Sequence, residues 1–227
     1  MSTPPLERDF NQAPALPALF VYGVREHMAI TADQVKQLRD KTGAGMMECK
    51  AALTEANGDM EAAVTILRKR GLAQAAKRAG RATAQGTIGT YIHLGGRIGV
   101  MVEVNCESDF VARTDDFNNL VKEVAMHIAA ADPKWVRREH VPAEEIEKEK
   151  AIYRAQMENS GKPANVIEKI IEGKLGSFYS QFVLLDQPSI RDGNVTIAQV
   201  VAQATAKTGE NIQVSRFTRY RVGDTEA

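Results

Sequence analysis

The chain has 227 residues, with 29 Lys plus Arg against 29 Asp plus Glu, so a formal charge of zero exerts no long-range pull on nucleic acid or an anionic membrane. Its 44% hydrophobic and 26% charged residues are the composition expected of a soluble globular protein with room for one large domain or two modest ones. No run of about 18 apolar residues occurs, which excludes a membrane-spanning helix. The cysteines Cys49 and Cys106 form no Cys-x-x-Cys pair. That argues against zinc and a disulfide framework, and for inert thiols in a reducing cytosol.

Residues 1–27 carry Pro4, Pro5, Pro14 and Pro17 and an apolar patch from Leu16 to Val21 with no basic stretch before it. A secretory signal fits poorly, and the segment is expected to be an extension outside the fold. Residues 28–71 read as three short helices. Thr31 caps the first, Gln34 completes a capping box, and Gly43 stops it. The second runs from about Met46 to Ala56, with Met46, Cys49, Ala52 and Leu53 on one side and Asn57-Gly58 at its end. With Met46 inside, Met47 falls outside, as a soft contact surface or a partly buried gap-filler. Asp59 caps the third helix and Gly71 is expected to close it. Residues 72–85 read as a basic helical linker; the cations Arg68, Lys69, Arg70, Lys77, Arg78 and Arg81 have no interleaved aromatics, which favours a solvated face over a nucleic-acid site.

A core domain is expected over 86–223, with 224–227 as a tail. Thr87 to Leu94 and Arg97 to Cys106 alternate as strands around Gly95-Gly96, a β-hairpin. Phe117, Leu120, Val121, Val124 and Ile128 recur at helical spacing, capped by Thr114 or Asp115. Between strand and helix lies Ser108-Asp109-Phe110-Val111. On local pattern Phe110 either folds back under the helix as a hydrophobic staple or points out towards a partner. Further helices are expected over Pro142 to Asn159, up to about Gly173, over Leu175 to Leu185, and from the cap Thr196 to Gly209, before a last strand from Asn211 to Val222. The fold class is α+β: helical bundle first, then a small antiparallel sheet with helices on one face. Three strands leave exposed edges, which pairing between two chains would cover.

No catalytic constellation appears. There is no Gly-x-Gly-x-x-Gly, phosphate loop or Gly-x-Ser-x-Gly elbow, and His27, His93, His127 and His140 show no paired metal spacing. The expectation is a binding protein, with no enzymatic activity, cofactor or metal of its own.

Two stretches carry a family resemblance. Leu38-Arg39-Asp40-Lys41-Thr42-Gly43-Ala44-Gly45-Met46-Met47-Glu48-Cys49-Lys50-Ala51-Ala52-Leu53 resembles the N-terminal signature of bacterial translation elongation factor Ts. Val104-Asn105-Cys106-Glu107-Ser108-Asp109-Phe110-Val111-Ala112 resembles its second signature, with Ser108 where the family usually has Thr. Gly161-Lys162-Pro163 and Gly209-Glu210-Asn211-Ile212 are similar to further family blocks, and the likeness spans about Met28 to Gly223. The resemblance implies a short-form exchange factor: a three-helix bundle similar to ubiquitin-associated domains, then an α/β sandwich core able to pair through its sheet. It implies a cytoplasmic guanine-nucleotide exchange factor for elongation factor Tu. It places Arg39, Thr42, Gly43, Met46, Met47 and Lys50 in the GTPase contact patch, with weaker matches at His93 and Gly209. Ser108, Asp109, Phe110 and Val111 become the segment that displaces the partner's magnesium, with Phe110 pointing outward.

Overall fold

Three helices open the described chain, which in this computed structural model comprises residues 30–157 and 161–224. The expected extension over 1–27, with His27, lies outside the described residues. Helix α1 (Ala32–Thr42) begins where Thr31 Oγ1 accepts from the Gln34 N–H and the Gln34 side chain accepts from the Thr31 N–H. It stops at Gly43, whose φ of 69° suits glycine. Helix α2 (Met46–Glu55) gives way to Asn57 and Gly58 at positive φ, and α3 (Met60–Arg78) starts on Asp59, whose carboxylate accepts from the Ala62 N–H. Val35, Leu38, Cys49, Ala52, Leu53, Ala63, Val64 and Leu67 pack into a core of their own.

Helix α3 does not close at Gly71. It runs unbroken to Arg78, through most of the stretch expected to be a separate linker. Glycine inside a helix costs about 1 kcal/mol relative to alanine, and tertiary packing offsets that here. Gly71 is buried, and a Cβ built on it would sit 3.8 Å from Ala206 Cβ and 3.9 Å from the Ala202 carbonyl. Those are ordinary van der Waals distances, so α3 packs on the helix that carries those alanines without needing a glycine there.

Strands β1 (Gln85–Ile92) and β2 (Ile98–Cys106) form a hairpin whose turn holds Gly95 and Gly96 at positive φ. After β2 come α4 (Asp109–Ala112), α5 (Asp115–Ala131), α6 (Ala143–Met157), α7 (Ala164–Phe182) and α8 (Ile197–Thr208). The last strand, β3 (Gln213–Arg221), pairs antiparallel with the free edge of β2, giving the order β1-β2-β3. The architecture is α+β, with one face of a small antiparallel sheet covered by helices. Val100, Val102, Val104 and Val214 from that face pack with Phe117, Leu120, Val121, Val124 and Ile128 of α5 and with Ile197 and Val201 of α8. Gly89 permits the closest approach: a Cβ there would lie 2.2 Å from Val121 Cγ1. The opposite face exposes Ile88, Ile92, Met101 and Tyr220.

The expected break near Gly173 is also absent. Helix α7 is continuous through Gly173 and Gly176, because Ile171, Leu175 and Phe178 keep one buried stripe across both glycines. At the base of α7, Phe178 packs on Trp135 with ring centroids 6.1 Å apart. Among the described residues, no helix is long and apolar enough to cross a membrane.

One buried polar pair fastens α5. Gln187 donates its amide to the carbonyls of Ala131 and Gln181, which turns its oxygen to the His127 Nε2 at 2.9 Å. Nε2 therefore carries the proton and donates. His127 Nδ1 is buried and has no partner among the described residues. Burial holds the imidazole below its ordinary range, against the opposing effect of the Gln187 hydrogen bond. Above about pH 6.5 both folded and unfolded states are neutral at this site. As pH falls, the unfolded state takes up a proton first, and stability drops until the folded-state pKa is reached, by at most about 1.4 kcal/mol per pH unit. Urea unfolding of the parent and of His127→Asn should accordingly differ most above about pH 6.5, with the gap narrowing towards about pH 5; a constant gap would show that His127 is not held neutral.

Candidate functional site

The turn between β2 and α5 puts an aromatic ring on the surface. Ser108 is in extended conformation and caps the one-turn helix α4, its Oγ accepting from the Val111 N–H at 3.3 Å. Successive side chains on a helix point about 100° apart, so one turn cannot bury all four. Val111 and Ala112 pack against the core, Phe117 at the start of α5 is fully buried, and Phe110 is left 84% exposed. Asp109 beside it pairs with Arg113 at 2.8 Å, an exposed i,i+4 contact of little energetic weight.

This turn is tied down by residues distant in sequence. The Glu210 carboxylate accepts from the Ser108 N–H at 3.0 Å and from its hydroxyl at 2.6 Å. Glu107 accepts in return from the Asn211 N–H at 2.6 Å. Under the turn, the Cys106 thiol donates to the Ser108 carbonyl at 3.1 Å. Burial, and secondly the nearby Glu210 charge, push that thiol pKa up, so it remains a protonated donor.

The second stretch lies at the α1–α2 turn. The Thr42 hydroxyl donates to the Leu38 carbonyl at 2.7 Å and accepts from the Ala44 N–H at 3.4 Å. Cys49 is buried beneath it, and that burial raises its thiol pKa. Arg39 and Lys50 are exposed, Thr42 and Gly43 half-buried. Met47 is 76% exposed. Met46, expected in the buried stripe, is 48% exposed: the bundle core is filled by Cys49, Ala52 and Leu53, and the first residue of α2 overhangs it. Both methionines are therefore available on the surface.

The last turn of α8 reaches both stretches. The Lys207 stem lies against the α1–α2 turn, its Cδ 3.2 Å from where a Gly43 Cβ would be, and its ammonium pairs with Asp116 of α5 at 2.5 Å. Gly209 ends α8 at φ 78°, directly before Glu210. His93 is placed apart from the rest. It lies exposed in the hairpin turn, hydrogen-bonded to Tyr91, at the other end of β2 from Phe110, a strand length of roughly 26 Å. Sequence reasoning passed over Lys207, Glu107 and Glu210 as parts of this arrangement; only the Gly209–Ile212 block, quoted as a family likeness, pointed near it. Half of the basic stretch is ion-paired, through Arg68–Asp192, Arg70–Glu55 and Arg81–Glu107.

Fold and surface together define an α+β protein without a catalytic constellation among its described residues, presenting Phe110, Met46 and Met47 on its surface as a binding module would. The chain belongs to the elongation factor Ts family: the family model described as Elongation factor TS matches residues 20–224. It is 63% identical over 197 residues to elongation factor Ts of Fervidobacterium nodosum, covering 87% of this chain and 100% of that one. It is 59% identical over 197 residues to elongation factor Ts of Koribacter versatilis (87% and 90% covered) and 56% identical over 197 residues to that of Geobacter sulfurreducens (87% and 91% covered). Membership supports a nucleotide-exchange role in translation elongation.

The contrast between the two neighbouring phenylalanines is measurable. Phe117→Ala should cost about 3–5 kcal/mol of unfolding free energy, as a large-to-small change in a packed core. Phe110→Ala should stay within about 0.5 kcal/mol of the parent, as an exposed substitution does. A large loss for Phe110→Ala in denaturant unfolding would place that ring in the core.

Proposed function

We propose that this chain binds elongation factor Tu in its GDP-bound and nucleotide-free forms and promotes GDP release so that GTP can enter. The observation that carries the reading is the exposed Phe110 on a braced turn, in a chain of the elongation factor Ts family. Arg39, Thr42, Gly43, Met46, Met47 and Lys50 form the docking patch on the partner's nucleotide domain, and Ser108, Asp109, Phe110 and Val111 form the segment that disturbs its magnesium and phosphate site. His93 and Gly209 are the outlying members of this set. The protein supplies no chemistry and needs no cofactor; its place of action is the cytoplasm, where translation runs.

The mechanism is differential binding. GDP is held in such a GTPase by backbone donors, a lysine and magnesium. A factor that binds the nucleotide-free conformation better than the GDP-bound one weakens GDP by the same factor by which GDP weakens it. A coupling of ~3 kcal/mol corresponds to about 150-fold. Burying one aromatic side chain contributes ~1.5–3 kcal/mol, so the wedge requires the separate methionine patch as well. The adaptable thioethers of Met46 and Met47 suit a surface that must hold its partner through a change of shape.

The uncovered sheet face adds a second partner. Ile88, Ile92, Met101 and Tyr220 form an apolar surface on a three-stranded sheet, and a second copy of the chain, face against face, would bury it.

Release of a fluorescent GDP analogue from purified elongation factor Tu tests the exchange reading. Phe110→Ala should slow catalysed release by about tenfold or more, the factor lost when roughly 1.4 kcal/mol of wedge binding is removed. Met47→Ala should weaken binding while leaving the thermal midpoint unchanged. Release at the parental rate with Phe110→Ala would remove the wedge from the mechanism. For the dimer, sedimentation equilibrium should show association that Met101→Glu abolishes; a parent that stays monomeric at about 100 μM, a hundred times a micromolar dissociation constant, would rule the pairing out.

A further inference from the structure

Helix α4 is too short to hold itself: one turn fixes several dihedrals for very few hydrogen bonds. Its own cap is a single contact from Ser108 Oγ to the Val111 N–H. Besides the packing of Val111 and Ala112, an exchange of carboxylates holds the turn from below. Glu210 takes both polar hydrogens of Ser108, and Glu107 takes the backbone N–H of Asn211. The Asn211 amide then donates to the carbonyls of Arg81 at 2.9 Å and Ala79 at 3.4 Å, anchoring the pair to the end of α3. Hydrogen bonds to an ionised acceptor are roughly twice as strong as neutral ones. Two converging on one residue hold its backbone in a single conformation.

We infer that Glu210 is a positioning residue of the exchange site, keeping the turn that carries Phe110 in its projecting conformation before the GTPase arrives. The inference rests on the exchange reading above. A segment that visits its binding-competent conformation only part of the time binds with an affinity reduced by that fraction. Glu210 keeps that fraction near one. Its carboxylate is turned inward to Ser108 and lies outside the hydrophobic core, so its removal acts on the turn rather than on the fold.

Four variants decide the point: Phe110→Ala, Glu210→Ala, Glu210→Gln and the double variant Phe110→Ala with Glu210→Ala. Each is assayed with elongation factor Tu for the kcat and KM of GDP release, alongside amide hydrogen exchange and thermal unfolding. Glu210→Ala should lower kcat/KM by about tenfold, as when the competent fraction falls to about a tenth. Exchange protection should fall across residues 108–112 and persist in the three-helix bundle. Glu210→Gln, which keeps one acceptor oxygen for Ser108, should recover part of the loss. In the Phe110→Ala background, Glu210→Ala should cause a much smaller loss than in the parent, because the main side chain it positions is gone. If Glu210→Ala does not fold, Glu210→Gln takes its place in the same cycle, with an expected loss of about threefold. Parental exchange by Glu210→Ala, additive losses in the double variant, or unchanged protection at 108–112 would each overturn the inference while Phe110→Ala remains slow. Parental exchange by Phe110→Ala would instead sink the wedge reading, and this inference with it.

Discussion

Glu210 accepts two hydrogen bonds from Ser108 where β2 must turn back into a helix, and the placement of Phe110 on the surface depends on where that turn is held. A strand leaving a sheet has many ways to continue. A one-turn helix that leaves a phenylalanine in solvent is an unfavourable one, since the hydrophobic effect would fold the ring under. Two features prevent this. Phe117, Val111 and Ala112 already fill the space beneath, and the ionised carboxylate binds the first residue of the turn from the side. The exposed ring is a consequence of a core filled by its neighbours and a backbone fastened from elsewhere.

The same end of α8 also joins the two halves of the chain. Lys207 passes under Gly43 and ends on Asp116, so the α1–α2 turn and the start of α5 share one side chain. At Gly71, α3 packs against Ala202 and Ala206 of the same helix. A three-helix bundle of this size buries too little surface to be robust alone, and α8 supplies the extra packing. The methionine patch and the aromatic turn are therefore displayed from one support. That matters for exchange, because a partner that must be held while its nucleotide site is disturbed needs both contacts at a constant separation.

The sheet has a different economy. Its inner face is completed by α5 and α8, while its outer face shows Ile88, Ile92, Met101 and Tyr220 to solvent. Neutral overall charge neither steers nor opposes contact between copies at long range. Of the polar residues on that face, Glu103 and Arg216 pair with each other across the strands at 2.7 Å, and Thr90 and Thr218 lie on either side of Met101.

Helix starts and stops were legible in the chain wherever they depend on neighbours in sequence. The reciprocal cap at Thr31 with Gln34, the cap at Thr196, the left-handed ends at Gly43 and Gly209, and the alternation of Val100, Val102 and Val104 are local chemistry. So were the α+β class and the family motifs around Met46-Met47 and Phe110. The continuity of α3 through Gly71 and of α7 through Gly173 was not legible, because a glycine's helix penalty of about 1 kcal/mol is overruled by packing partners that the local pattern does not contain. Nor was the exposure of Met46, which follows from how the bundle core closes around Cys49 and Leu53. Phe110 marks the boundary between the two. Its residue type and its place in a strand-to-helix turn are sequence facts, and they allowed both an inward and an outward ring. Tertiary structure decided for outward, because Phe117 occupies the core below and Glu210, brought in from the far end of the chain, holds Ser108 from the side.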